Sequence, residues 1–250
     1  MPRDRSTRRR SRLIAGAVIG AFVLLASPSL GQETPEPDPI TVDPPPGTIA
    51  LTFDDGPFDE LTPFILEILA RYDIKATFFI STYRLPHNEH LIHQILAAGH
   101  SVQSHGNLHV RLPNRTREEI FEDLQLSLDL IVAAGAPRPT CFRPPYGATN
   151  EDVLSVAAEL GLEVVLWTVA SLDTVHQEPD GIIASTLAVA APGDVVLMHD
   201  HWASAHEIAL PIIIESLLEQ GVGFGPICVP VPGRPGGIAP SVARILDLIR

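Results

Sequence analysis

The chain has 250 residues, 45% of them hydrophobic and 19% charged, with a mean hydropathy of +0.19, which excludes a disordered tail and a small disulfide-stapled scaffold. Its 17 basic and 30 acidic side chains give a net charge of −13, with Lys75 the only lysine, so the basic face that a nucleic-acid backbone requires is missing. Cys141 and Cys228 are the only cysteines; they cannot build a four-cysteine zinc site, and a metal here must be held mainly by histidines and carboxylates.

The first 12 residues carry six arginines against one acid, and Leu13–Ala26 follows as 14 uncharged apolar residues. This is the pattern of a signal peptide, the apolar core being shorter than the roughly 20 residues of a spanning helix. Small residues at Ser29 and Gly31 place cleavage after Gly31, so residues 1–31 read as an export signal. An uncleaved anchor over Leu13–Leu30 is the alternative, and only that reading gives the chain a membrane contact. Either way the domain is exported, to the periplasm or beyond the cell. Cleavage removes six arginines and one acid and leaves 11 basic against 29 acidic residues, a net of −18. Residues 32–47, with six prolines and four acids, read as an extended linker.

From Thr48 on, apolar β-rich runs alternate with helical periodicity. Thr48–Phe53 reads as a strand, and Thr62-Pro63 as N-cap and first turn of a helix to Tyr72. Strand Ala76–Ile80, helix Asn88–Ala98, strand Ser101–Ser104 and helix Thr116–Ala134 follow, the last opened by a Thr116/Glu119 capping box and stopped at Gly135. Then come strand Thr140–Phe142, helix Asn150–Leu160, strand Glu163–Thr168, helix Gly181–Ala190, strand Asp194–Met198, helix His206–Gln220 and strand Phe224–Val229. Residues 230–250 read as a Pro/Gly linker and a short helix with Val242, Ile245, Leu246 and Ile249 on one side. No internal repeat is visible.

About seven strands alternating with helices imply an α/β domain over residues 48–229 with a parallel sheet. Asp54/Asp55, His105, Arg143, Asp173 and His199 each fall at the C-terminal end of a different strand. That favours a distorted (β/α)7-type barrel with helices outside and a polar rim over an open doubly wound sheet, which gathers ligands near one switch point. In a closed barrel the fourth and last strands, carrying Cys141 and Cys228, are not neighbours. A bridge needs Cα atoms within about 7 Å, so no essential disulfide is expected.

The chemistry-bearing residues cluster on that rim. Side chains alternate along a strand, so of Asp54 and Asp55 one can bind a metal while the other faces a water. His105 and His109 stand four apart and on a helical turn would project to one side as ligands. Two histidines and one aspartate leave coordination positions open, the mark of a catalytic rather than structural site. The two prolines of Arg143-Pro144-Pro145-Tyr146-Gly147 stiffen that loop, so Arg143 can hold a carboxylate such as Asp54 and the Tyr146 amide can face an oxyanion. His199, ending an apolar strand, can donate a proton to a leaving group. Together these residues fit metal-assisted hydrolysis of an acyl group from nitrogen or oxygen.

Four segments, in this order, resemble the motifs of the polysaccharide deacetylases of the NodB-homology type, carbohydrate esterase family 4. They are Thr52-Phe53-Asp54-Asp55-Gly56-Pro57, His105-Gly106-Asn107-Leu108-His109, Arg143 to Gly147, and Leu197-Met198-His199-Asp200. The resemblance runs from Thr48 to about Val229. It implies that Asp54 is the catalytic base, that Asp55, His105 and His109 hold the metal, and that Arg143 orients Asp54. It also implies that the Tyr146 amide binds the oxyanion, that His199 is the acid oriented by Asp173, and that Leu197 lines the acetyl-methyl pocket. The implied cofactor is a divalent metal, zinc first with cobalt or manganese as alternatives. The implied substrate is an N-acetylated amino-sugar polymer of the peptidoglycan or chitin type.

Two positions depart from the family pattern. Gly106 stands where a Ser or Thr is usual, which removes a hydroxyl beside the ligand loop and should loosen it. Thr174 follows Asp173 where the family has Trp, with Trp167 the nearest indole, which removes an aromatic wall for a sugar ring. Two further readings therefore stand beside the deacetylase: a metal-dependent hydrolase of a non-sugar amide or imide, and an inactive exported carbohydrate-binding module with the same fold.

Overall fold

A computed structural model describes residues 42–176, 178–200 and 203–229. The signal peptide or anchor, most of the first linker, and the C-terminal linker and helix read above lie outside the described residues. Strands β1 (Thr48–Asp54), β2 (Thr77–Ile80), β3 (Ser101–Ser104), β4 (Cys141–Phe142), β5 (Glu163–Val164), β6 (Val169–Ala170), β7 (Val195–His199) and β8 (Gly223–Phe224) form one sheet. Between them run α1 (Leu61–Arg71), α2 (Glu89–Ala97), α3 (Arg117–Ala133), α4 (Glu151–Glu159), α5 (Pro179–Leu187) and α6 (Ala203–Glu219). All recorded pairings are parallel, in the order β5-β4-β3-β2-β1-β7-β6, and β8 pairs with the first two residues of β1. The result is the curled parallel sheet with helices outside that the alternation of elements implies. Among the described residues no helix is long and apolar enough to cross a membrane.

Alternation along each strand sorts its two faces. Ile49, Leu51 and Phe53 of β1, Phe78 and Ile80 of β2, and Val196 and Met198 of β7 pack outward in one cluster with Ile65, Leu69, Ile92, Ile95, Ile213 and Leu217 of the helices. Their neighbours Ala50, Phe79 and Val195 turn inward, with Cys141, Val165, Ile227 and Cys228. The local signal at the start of α3 acts as expected, and a second cap appears at Asn150, read from the sequence as the first residue of its helix. The Thr116/Glu119 capping box is formed, and Asn150 Oδ1 accepts from the Val153 amide at 2.9 Å. Thr62 is different: α1 starts at Leu61, and the Thr62 hydroxyl accepts from the Phe58 amide and donates to Asp200 Oδ2, both at 2.8 Å.

Three expectations are corrected. The segment Glu163–Thr168 is not one strand. The Val165 amide still donates to the Phe142 carbonyl, but the Thr168 amide donates to the Val195 carbonyl of β7. Three residue steps, at most about 11 Å of chain, thus span the gap between the two ends of the sheet. The Val165 and Leu166 carbonyls turn to accept from Arg143 instead of extending a ladder. The last strand is likewise only Gly223–Phe224. Beyond it the chain runs under the starts of the neighbouring strands, the Thr77 hydroxyl bonding to the Ile227 carbonyl and the Ser101 hydroxyl to the Cys228 carbonyl, each at 3.0 Å.

That crossing carries Cys228 to β4, where it forms a disulfide with Cys141 at a Cα–Cα distance of 5.9 Å. The expectation of no bridge assumed that a cysteine near the last strand stays on that strand, and the chain instead traverses the sheet. The bridge closes a loop with a sequence separation of 87, so it removes much conformational freedom from the unfolded chain. Replacing both cysteines by serine should cost about 2–5 kcal/mol and lower the melting temperature by several degrees or more; paired thermal melts of the oxidised wild type and the double variant measure it.

Candidate active site

Each rim residue is delivered by the end of a strand. Thr52 and Asp54 point to the inner face of β1, and Arg143, the first residue after β4, meets both: its Nη1 donates to Thr52 Oγ1 and to Asp54 Oδ1, each at 2.7 Å. Its Nε and Nη2 donate to the Val165 and Leu166 carbonyls, and its guanidinium lies 4.1 Å from the centre of the Phe79 ring. Arg143 has 0% of its surface exposed. Burial pulls its pKa down, and the Asp54 charge and hydrogen bond oppose that.

Strict alternation would send Asp55 away from Asp54. The chain avoids this because Asp55 has φ 78°, a left-handed conformation that a short polar residue tolerates. Both carboxylates then approach one imidazole: His105 Nε2 lies 3.9 Å from Asp54 Oδ2 and 3.3 Å from Asp55 Oδ1. His109 Nε2 is 3.1 Å from the same Asp55 oxygen. Burial alone would raise the Asp55 pKa, but the hydrogen bonds and charges of His105 and His109 outweigh it and hold the carboxyl well below its ordinary value. The turn that follows requires Gly56, since a Cβ there would collide with the Asp200 carboxylate.

The two histidines are not on a helix as their spacing suggested. β3 ends at Ser104, and Gly106 at φ 80° folds the chain back so that His109 faces His105, their ring centres 5.3 Å apart. His105 Nδ1 donates to the Arg143 carbonyl at 2.7 Å, which leaves its Nε2 lone pair directed at Asp55. One ligand atom from each of Asp55, His105 and His109 lies within 4.8 Å of the others. Tetrahedral ligands about 2.0–2.2 Å from one ion stand roughly 3.3–3.6 Å apart. The donor set and its two histidine–carboxylate spacings therefore fit a divalent cation.

Opposite this triad stands His199, which the β1–β7 register pairs with Asp54, so both side chains share one rung and one face. His199 Nδ1 donates to Asp173 Oδ1 at 2.8 Å, and the His199 amide to Asp173 Oδ2 at 2.7 Å. Burial works against the charged ring, but Asp173, with smaller contributions from Asp54 and Asp55, raises the His199 pKa to about 9. Asp173 itself is held below its ordinary value: burial opposes this, and His199 and His206 prevail. Leu197, two residues before His199, is buried on the same face of β7. Tyr146 sits in a turn at φ 62° with its half-exposed ring 4.6 Å from that of His109. Trp167 packs against Gly147 and the inner apolar cluster, not as a wall at Asp173.

Sequence reasoning gave no role to three residues, although Asp200 stands in one of the motifs. His206 donates from Nε2 to Asp173 Oδ2 at 3.1 Å, Asp123 accepts from the Asn107 and Leu108 amides, and Asp200 lies under the Gly56 turn with its pKa pushed up to about 7 by burial, the Thr62 hydroxyl pulling the other way and Asp55 and Asp54 adding to the rise. Two left a readable trace. Asp123 falls in the helical stripe Ile120-Leu124-Leu128, and His206 in the stripe Ala209-Leu210-Ile213; a polar residue in a buried stripe needs a partner.

A sequence profile of the polysaccharide deacetylase family matches residues 41–165. The chain is 36% identical over 177 residues to the peptidoglycan-N-acetylglucosamine deacetylase PgdA of Listeria monocytogenes, covering 70% of this chain but only 37% of that protein's length. It is 34% identical over 186 residues to the peptidoglycan-N-acetylglucosamine deacetylase of Bacillus cereus, covering 70% of this chain and 84% of that one. Among solved structures, a carbohydrate esterase family 4 pseudoenzyme from Bacillus anthracis superposes with a TM-score of 0.71 at 31% identity, covering 77% of this chain and 68% of that chain.

The raised pKa of His199 sets a pH window. Because the folded value of about 9 lies above the ordinary 6.5, the charged ring adds stability that is complete below about pH 6.5 and is lost as pH rises through 9. In Asp173→Asn, burial remains and the largest opposing interaction is gone, so His199 should titrate well below its wild-type value. NMR titration of the His199 ring in metal-free wild type and variant measures it; equal values would show that Asp173 does not control the proton.

Proposed function

Since the chain belongs to the polysaccharide deacetylase family, carbohydrate esterase family 4, we propose that it is an exported metal-dependent hydrolase that removes N-acetyl groups from an amino-sugar polymer or oligomer of the peptidoglycan or chitin type. The observation that carries this is the convergence of Asp55, His105 and His109 on one point, flanked by Asp54 and His199 on a single rung. One of the similar structures is a pseudoenzyme, so the fold alone does not decide activity. A complete triad with its acid and base favours the enzyme over the inactive binding module.

In this reading Asp55, His105 and His109 hold zinc, or cobalt or manganese in its place. The bound ion supplies a Lewis acid for the amide carbonyl and lowers the pKa of a water toward about 7. Asp54, held by Arg143 through one oxygen, takes the proton from the attacking water. The Tyr146 amide donates to the oxyanion of the tetrahedral intermediate. His199, kept protonated at neutral pH by Asp173, gives its proton to the departing amine as the C–N bond breaks. Leu197 faces the acetyl methyl group.

Acetate release from a panel of N-acetylglucosamine oligomers and peptidoglycan fragments tests the reading. Small amides and imides belong in the panel because Thr174 stands where the family has Trp. Chelation should abolish turnover and zinc, cobalt or manganese restore it, with His199→Ala reduced about 10²–10⁴-fold. Full activity of a chelated His105→Ala/His109→Ala variant would overturn the metal assignment, and turnover of small amides alone would overturn the sugar substrate.

A further inference from the structure

The loop between the two histidine ligands has three residues, and its backbone groups can be accounted for one by one. On the carbonyl side, Gly106 and Asn107 accept from the Thr82 and Tyr83 amides, each at 3.1 Å, and Leu108 from the Val110 amide at 2.8 Å. On the amide side, Gly106 donates to Ser104 Oγ at 3.1 Å, and that hydroxyl is 2.8 Å from Ser127 Oγ of α3. The remaining two amides end on one carboxylate: Asn107 donates to Asp123 Oδ2 and Leu108 to Asp123 Oδ1, each at 2.9 Å. Asp123 is not among the metal donors. It reaches the loop from the buried side of α3, a helix 17 residues long, and a two-oxygen grip by a charged acceptor is stronger and better oriented than a neutral bond.

Gly106 completes the arrangement. Its own φ of 80° disfavours any side chain, and a Cβ there would stand 3.0 Å from Asp123 Oδ2. The space that a side chain at 106 would use is taken by the carboxylate, which supplies to the loop what Gly106 cannot.

We infer that Asp123 is a positioning residue of the metal centre, whose carboxylate clamps the Asn107 and Leu108 amides and thereby sets His109 relative to His105. The inference rests on the metal reading above, and its test measures metal binding directly, apart from any deacetylase activity. Oriented ligands bind more tightly because less freedom is lost on binding, and partners that orient ligands are commonly worth about 10–100-fold in metal affinity.

The experiment is a zinc titration of the metal-free full-length chain in competition with a chromophoric chelator, together with thermal melts of the metal-free protein. Asp123→Ala should bind zinc about 10–100-fold more weakly. Glu122→Ala, one position along the same helix and solvent-exposed, should match wild type. Asp123→Asn keeps the side-chain shape but turns one acceptor into a donor facing an amide, so it should fall on the weak side; it also gives the answer if the alanine variant does not fold. A metal-free melting temperature that drops while zinc affinity stays within about threefold of wild type would make Asp123 a structural residue only and overturn the inference. Wild type that binds no zinc would instead overturn the metal reading itself.

Discussion

A guanidinium with none of its surface in contact with water must be compensated entirely from within, and Arg143 is such a group. Desolvating a charge costs several kcal/mol unless its donors and its charge are all met. Here Asp54 meets the charge, Thr52 and two backbone carbonyls meet the donors, and Phe79 lies under the flat face. These partners come from β1, β2 and the segment that crosses from β5 to β6, so one side chain ties both ends of the curled sheet to its centre. Arginine suits this place and lysine does not, because a planar fork reaches several acceptors at fixed angles. The Arg143 carbonyl in turn receives the His105 Nδ1 proton, so the same residue orients Asp54 with its side chain and a proposed metal ligand with its backbone.

The rim owes its chemistry to departures from regular strand geometry. Were Asp55 an ordinary strand residue, Asp54 and Asp55 would face opposite sides and only one could serve the site. At φ 78° both reach the His105 imidazole. Tyr146 and Gly106 are also left-handed and lie at the two loops nearest the triad. Such conformations persist only where the surroundings over-determine them; here Asp200 fills the space beneath Gly56 and Asp123 the space beside Gly106.

Opposite ends of the same sheet do different work. The C-terminal ends of the strands carry the polar rim. At the N-terminal ends, the chain beyond β8 packs Ile227 and Cys228 into the inner apolar cluster and is pinned there by the disulfide. The disulfide thus fastens the end of the domain opposite the rim.

The order of elements, the parallel sheet and the identity of the rim residues were legible in the sequence, because they depend on local matters: apolar periodicity, capping residues, and polar residues that end apolar runs. Thr116 with Glu119 is a plain case. What lay beyond it were features that depend on where distant segments meet. Glu163–Thr168 has the composition of a strand, yet it breaks because the Arg143 donors draw its carbonyls away from a ladder. The Cys141–Cys228 bridge exists because the chain after β8 traverses the sheet, a path that no local pattern encodes. Asp123 and His206 could be marked as polar interruptions of buried stripes, but their partners, a loop amide pair and a shared carboxylate, are set only by how α3 and α6 dock. Local propensity chooses elements; only packing decides which unsatisfied polar group meets which.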